Sequence, residues 1–118
     1  MPNRVVWFDI PVRDMGRAKE FYSEVLDVEV SEDFPGVAVI VSRNSDEVFG
    51  CLFTSETERP TWRGPLVYFD VSGRMDAAVE AAERCGGRVL NPSHRLGPFG
   101  QRAIVIDSEG NRIALHSE

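Results

Sequence analysis

The chain reads as one pattern written twice. Phe8-Asp9-Ile10 returns as Phe69-Asp70-Val71, 61 positions later, and Met15 and Ala18 return as Met75 and Ala78 at a separation of 60. In each copy a short apolar run leads into an amphipathic helix and then into three further strand-like runs. The repeat predicts an α+β fold in which two βαβββ modules form a cupped mixed sheet. A ligand then belongs in the cleft between the two copies of one curved sheet. The repeat constrains the fold tightly and leaves the ligand unnamed.

The punctuation supports this frame. Residues 4–10 are rich in β-branched and aromatic side chains and read as a strand ended by Pro11. Asp14 is placed to cap a helix running to about Leu26, whose Ala18, Phe21, Tyr22, Val25 and Leu26 fall on one face. Strands follow from Val28, over 37–41 after the Pro35-Gly36 turn, and over 48–53. A polar linker over 55–64 then separates a first module of about 4–54 from a second of about 65–117, within a single domain of 118 residues. In the second module a strand over 66–71 precedes a helix capped by Ser72, with Met75, Ala78, Val79 and Ala82 on one face and Gly86-Gly87 as its stop. Residues 88–90 are extended, 91–100 read as a loop long enough to lie over a cleft, and 102–106 and 112–116 form a hairpin turned at Asp107-Ser108-Glu109-Gly110-Asn111.

Composition excludes several functions. A net charge of −6 argues against nucleic acid, which needs a basic face to neutralise phosphate. No apolar run approaches the roughly 20 residues that span a bilayer, and the N-terminal residues lack a secretory apolar region, so a cytoplasmic protein is expected. The two cysteines, Cys51 and Cys85, lack metal-site spacing and read as small buried hydrophobes with reduced thiols. No nucleophile motif and no phosphate-binding glycine loop is present.

Phe8-Asp9-Ile10-Pro11-Val12, Asp14-Met15, Ala18 and Phe21-Tyr22, followed by Asp107-Ser108-Glu109-Gly110-Asn111-Arg112-Ile113-Ala114-Leu115, resemble the vicinal oxygen chelate superfamily. This is the group of glyoxalase I, extradiol dioxygenases, fosfomycin resistance enzymes and bleomycin resistance proteins. The resemblance covers nearly the whole chain and implies a cupped sheet of paired modules and a homodimer. It also implies a divalent metal held by His, Glu or Gln on the first strand of each module and by Glu on the last strand. In this chain those slots fall on Trp7, Leu66 and Ala114, none of which binds a metal.

Strand alternation places Trp7, Asp9, Tyr68, Asp70, Arg112 and His116 on the cup face, and Phe8 and Ile10 against the helix. The candidate ligand-binding residues are therefore Trp7, Asp9, Tyr68, Asp70, Phe99, Arg102 and His116. Each has a plainer reading. Trp7 is either an aromatic floor or a plug in a vacated metal cavity. Asp9 and Asp70 are either ligand-recognising groups or rim carboxylates paired with Arg4, Arg102 or Arg112. Tyr68 either donates its phenol or merely packs. Phe99, in the candidate lid, covers an apolar ligand, and His94 or Arg95 beside it meets an anionic one, unless the segment is only a surface loop. His116 is the one catalytic candidate, as a base or a ligand.

Three functions remain open. The first is a metal-independent binder of a small organic molecule, with cationic aromatic ligands suited to Trp7, Asp9, Asp70 and the acidic balance. The second is a lyase or dioxygenase using acid/base chemistry or a displaced divalent-metal site at Asp9, Asp70 and His116. The third is a non-catalytic dimeric interaction module whose cups are filled by side chains.

Overall fold

A computed structural model describes residues 4–118. The elements run β1 (Asp9–Val12), α1 (Met15–Leu26), β2 (Glu29–Phe34), β3 (Val37–Val41), β4 (Val48–Thr54), β5 (Val67–Asp70), α2 (Met75–Arg84), β6 (Arg88–Arg95), β7 (Gln101–Ile106) and β8 (Arg112–Ser117). They form two four-stranded sheets with the matching orders β1-β4-β3-β2 and β5-β8-β7-β6. In each sheet the first strand runs parallel to the last and the rest are antiparallel. The duplicated sequence is thus two βαβββ modules of one topology.

The modules join through their helices, and among the described residues no ladder links the two sheets. α1 buries the five predicted side chains, Ala18, Phe21, Tyr22, Val25 and Leu26. α2 turns Ala78, Ala81 and Ala82 inward, and these small side chains let the two helices lie close together. One continuous core draws on both modules, with Ile10, Ile40 and Leu52 from the first sheet meeting Phe69, Val105, Ile113 and Leu115 from the second. Phe8 packs edge-on to both Phe49 and Phe69, with ring centroids 6.0 and 5.4 Å away. Gly50 makes room for it, because a Cβ there would sit 2.4 Å from the Phe8 ring.

A hairpin from the second module locks onto the first. The turn between β7 and β8 carries Asp107 and Glu109, both buried. Asp107 Oδ1 accepts three backbone N–H groups of its own turn, from Glu109, Gly110 and Asn111, at 2.8–2.9 Å. Its Oδ2 accepts the Tyr22 hydroxyl at 2.5 Å and Asn111 Nδ2 at 3.0 Å. Burial, and then the Asp107 charge, push the Tyr22 phenol well above its ordinary pKa. Glu109 reaches further. Its Oε1 accepts the backbone N–H of Arg13 at 2.8 Å and of Asp14 at 2.7 Å, and its Oε2 accepts Arg17 Nε at 2.7 Å. A carboxylate from one module thereby caps the first turn of the other module's helix. At the opposite end, Arg74 donates to the Val25 and Glu24 carbonyls and closes the C-terminus of α1.

Several boundaries differ from the sequence reading. The β1 ladder begins at Asp9 and includes Pro11, which is tolerated because β1 is an edge strand with one side free of partners. Asp14 caps α1 as expected, its Oδ1 accepting the Arg17 N–H at 3.0 Å. Ser72 does not cap α2. Residues 71–74 form a turn with Gly73 at φ +83°, which places Arg74 at the cap position with no side-chain cap bond, while Ser72 Oγ accepts from Glu118 N. The expected loop over 91–100 is largely strand. β6 extends to Arg95 on the outer edge of its sheet, and register shifts on both sides of Asn91 accommodate Pro92. Only residues 96–100 form the turn to β7.

Glu109 is held at a pKa of about 2 against an ordinary 4.5: burial opposes ionisation, and the Arg17 guanidinium with the Asp14, Arg13 and Ser108 donors overcomes it. Because the folded pKa is depressed, this stabilisation is present above pH 4.5 and drains away as the pH falls towards about 2. Urea unfolding should therefore show stability declining through that window, and Glu109→Gln should cost on the order of 2–3 kcal/mol at pH 7 and flatten the decline. A Glu109→Gln variant with unchanged stability and unchanged acid sensitivity would contradict the latch.

Candidate functional site

The helix-free faces of the two sheets differ in chemistry. On the first sheet Asp9 lies in register with Cys51, and Cys51 with Val39. Asp9 Oδ1 accepts both the Trp7 indole N–H at 2.9 Å and the Cys51 thiol at 3.1 Å. Around them stand Val39 and Phe53, both half-buried. Burial, with the Asp9 carboxylate as the next cause, pushes the Cys51 thiol up to about 11. Cys51 is buried, as expected, and unpaired, and it also belongs to a small Trp–Asp–Cys network that spacing alone did not reveal.

The second sheet presents a polar row. Asp70 pairs with His116, His116 with Arg102 and Arg102 with His94, so four strands each contribute one polar side chain at the same level. The row behind it is Tyr68, Ala114 and Ile104. The intervening residues Phe69, Ala103 and Leu115 point to the core. Arg102 Nη1 donates to the Tyr68 hydroxyl and Arg102 Nε to His94 Nε2 at 3.0 Å. His94 Nδ1 lies 2.9 Å from the Pro92 carbonyl. That geometry assigns the proton to Nδ1 and the lone pair to Nε2. His116 Nε2 contacts the Phe99 carbonyl, and the Tyr68 and His116 rings meet edge-on at 6.3 Å. Arg102 also lies 5.9 Å from the centre of the Tyr68 ring.

Tyr68, Asp70, Arg102 and His116 thus come together on one face. Asp9 belongs to the other sheet, and Trp7 lies in the segment just before its first strand. Phe99 is 70% exposed and only its backbone carbonyl joins the cluster. His94, noticed in the sequence only as part of a lid, is a strand residue bonded to Arg102. The carboxylates do not form the expected rim pairs with arginine. Asp9 serves Trp7 and Cys51, and Asp70 Oδ1 accepts the Ser72 N–H at 2.9 Å. The Ser72 hydrogen bonds and the His116 charge hold Asp70 below the usual carboxylate range. Among the described residues the ion pairs are Arg17–Glu109 and Arg43–Asp27.

A cleft of about 1330 Å³ opens between the segment before β1 and the start of β5. Trp7, Phe49, Tyr68, Phe69 and Asp70 line it, while Asp9, Phe99, Arg102 and His116 stand outside. Asp70 of the polar row and Tyr68 of the row behind it also line this cleft.

The residues present do not fit the metal that the resemblance implies. Trp7 offers only an indole donor, Leu66 is a half-buried hydrocarbon and Ala114 is a fully buried methyl group. The displaced set is split, with Asp9 on the first sheet and Asp70 and His116 on the second. Among the described residues no three His, Cys, Asp or Glu side chains converge as a metal requires.

The model of the Glyoxalase/Bleomycin resistance protein/Dioxygenase superfamily matches residues 4–115, so the chain belongs to that superfamily. Solved structures share the fold. A glyoxalase/bleomycin resistance protein from Albidiferax ferrireducens T118 superposes with a TM-score of 0.76 at 17% identity, over 96% of this chain and 97% of that one. A glyoxalase-related enzyme from Fulvimarina pelagi gives 0.74 at 16% identity, over 99% and 89%. The fosfomycin resistance protein FosX from Mesorhizobium loti gives 0.68 at 15% identity, over 100% and 94%. No curated protein matches the chain. Among the described residues no helix is long and apolar enough to cross a membrane.

The thiol chemistry makes a direct prediction. Cys51, raised to about 11, and Cys85, raised by burial, should alkylate slowly with iodoacetamide at pH 8 in the folded protein, and both should react in urea. Asp9→Asn removes the neighbouring charge and should speed alkylation of Cys51 alone, which mass spectrometry of the labelled peptides would report.

Proposed function

We propose that this protein binds a small organic molecule on the helix-free face of its sheets without a resident metal. The observation that carries this reading is the half-buried set of His94, Arg102 and His116, with the exposed Tyr68 beside them, on the second sheet. These side chains contribute nothing to the core, Arg102 is bonded to both Tyr68 and His94, and Tyr68 also lines the open cleft. Such preorganised polar groups beside apolar surface are what a small-molecule site requires. Trp7, Leu66 and Ala114 at the metal positions support a binding role over metal-dependent lyase or dioxygenase chemistry.

A homodimer belongs to the same reading. β1 and β5 are edge strands, and the segment before β1 exposes Val5, Val6 and Trp7. Exposed apolar edges of this kind are normally covered, and a second copy of the chain covers them by symmetry.

Untagged protein should contain no stoichiometric metal, and its melting temperature should stay unchanged with Mn, Fe, Co, Ni, Zn or chelator. A small organic ligand at about 100 times its Kd should instead add roughly 2.7 kcal/mol of stability. A melting temperature that rises with one ion and falls with chelator would overturn the metal-free reading. Absence of any organic ligand would favour an interaction module. Sedimentation should give about twice the 13.2 kDa chain mass.

A further inference from the structure

We infer that the polar row on the second sheet is an oxyanion site, in which Arg102 receives the carboxylate or phosphate group of the bound molecule. This rests on the binding role proposed above and assigns its ligand class.

Arg102 is half-buried and has no carboxylate partner among the described residues. A guanidinium carried into a fold is normally neutralised there. Here its two contacts are uncharged acceptors, the Tyr68 phenol oxygen and the His94 Nε2 lone pair. The His94 tautomer that makes this possible is held by Pro92, whose carbonyl takes the Nδ1 proton. The charge is thus fixed in place and left uncompensated. Of the five N–H groups that a guanidinium carries, one on Nη1 and one on Nε are engaged, and those on Nη2 are unspent.

The surroundings suit an anion. Asp70, the one carboxylate in the row, is turned to Ser72 N. Arg112, two residues before Ala114 on the same strand, holds a second guanidinium whose buried Nε has no hydrogen-bond partner, while its Nη2 donates to the Gly64 carbonyl. In a chain of net charge −6, two arginines without carboxylates on one sheet are a local reversal of sign. Beside Arg102 the exposed Tyr68 offers an aromatic surface to the apolar body of a ligand. Bidentate pairing of a planar guanidinium with a two-oxygen group supplies orientation as well as affinity. The carboxylates on these faces are each tied by one oxygen, Asp9 to the Trp7 indole and Cys51 thiol and Asp70 to the Ser72 N–H, so a cationic ligand is the competing class that the probes must separate.

Four probes of similar size separate the possibilities: benzoate, phenyl phosphate, benzamide and benzylamine, titrated into the full chain and followed by amide chemical shifts. The expected result is saturable shifts at Tyr68, His94, Arg102 and His116 with benzoate or phenyl phosphate, and binding of benzamide and benzylamine weaker by about tenfold or more. The stronger of the two anions identifies carboxylate or phosphate as the preferred group. Arg102→Gln should abolish the preference for anions, and Arg102→Lys, which keeps the charge and loses the fork, should fall between. Thermal unfolding of both variants checks that they fold, and the lysine variant retains the test if the glutamine variant does not. Benzamide or benzylamine binding as well as the anions, or an anion preference unchanged in Arg102→Gln, would overturn the oxyanion assignment and leave small-molecule binding standing. No response at the row from any of the four probes would overturn both.

Discussion

The structure depends on one buried hairpin. Asp107 folds the turn onto itself and takes the Tyr22 hydroxyl, and Glu109 caps α1 in the other module. Asn111 adds a bond to the Pro11 carbonyl and ties down the linker at Thr61 N. Two carboxylates this deep are costly unless their lone pairs are met, and here the turn itself meets most of Asp107 while Tyr22 and the start of α1, distant in sequence, meet the rest of Asp107 and most of Glu109. The latch therefore forms only when both modules are correctly placed. With Arg74 at the other end of α1, it fixes the helices between two sheets whose ladders never touch.

That arrangement explains why the sheets keep open faces. The helices fill the space between the modules, so each sheet buries one side and leaves the other to solvent or ligand. Duplication then allowed the two faces to diverge. The first carries Trp7, Asp9 and Cys51 in a closed network beside Val39 and Phe53. The second carries donors, and its central arginine is held by partners that leave its charge intact.

Much of this was legible before the structure. The repeat, the Asp14 cap, the five-residue face of α1 and the final hairpin follow from local rules of capping, periodicity and turn chemistry, which act within a few residues. Alternation put Tyr68, Asp70 and His116 on one face because a strand permits only two. The misses have equally physical causes. Pro92 made residues 91–95 read as loop, yet an edge strand with bulges tolerates a residue that cannot donate, and only the stretch holding Gly97 and Gly100 is a turn. Ser72 looked like a cap, but the Gly73 turn moved the helix start to Met75.

The sequence by itself determined the two modules, their internal order and the residue types at each strand face, because these rest on short-range periodicity. Only the tertiary structure decided what those residues meet. Tyr22 and Asp107 lie far apart in the chain and bond directly, and so do Glu109 and the start of α1, while Tyr68, His94 and Arg102 converge from three strands. Whether a carboxylate recognises a ligand, caps a turn or latches a helix is set by which donors reach it. Those donors are placed by packing, which no local pattern encodes.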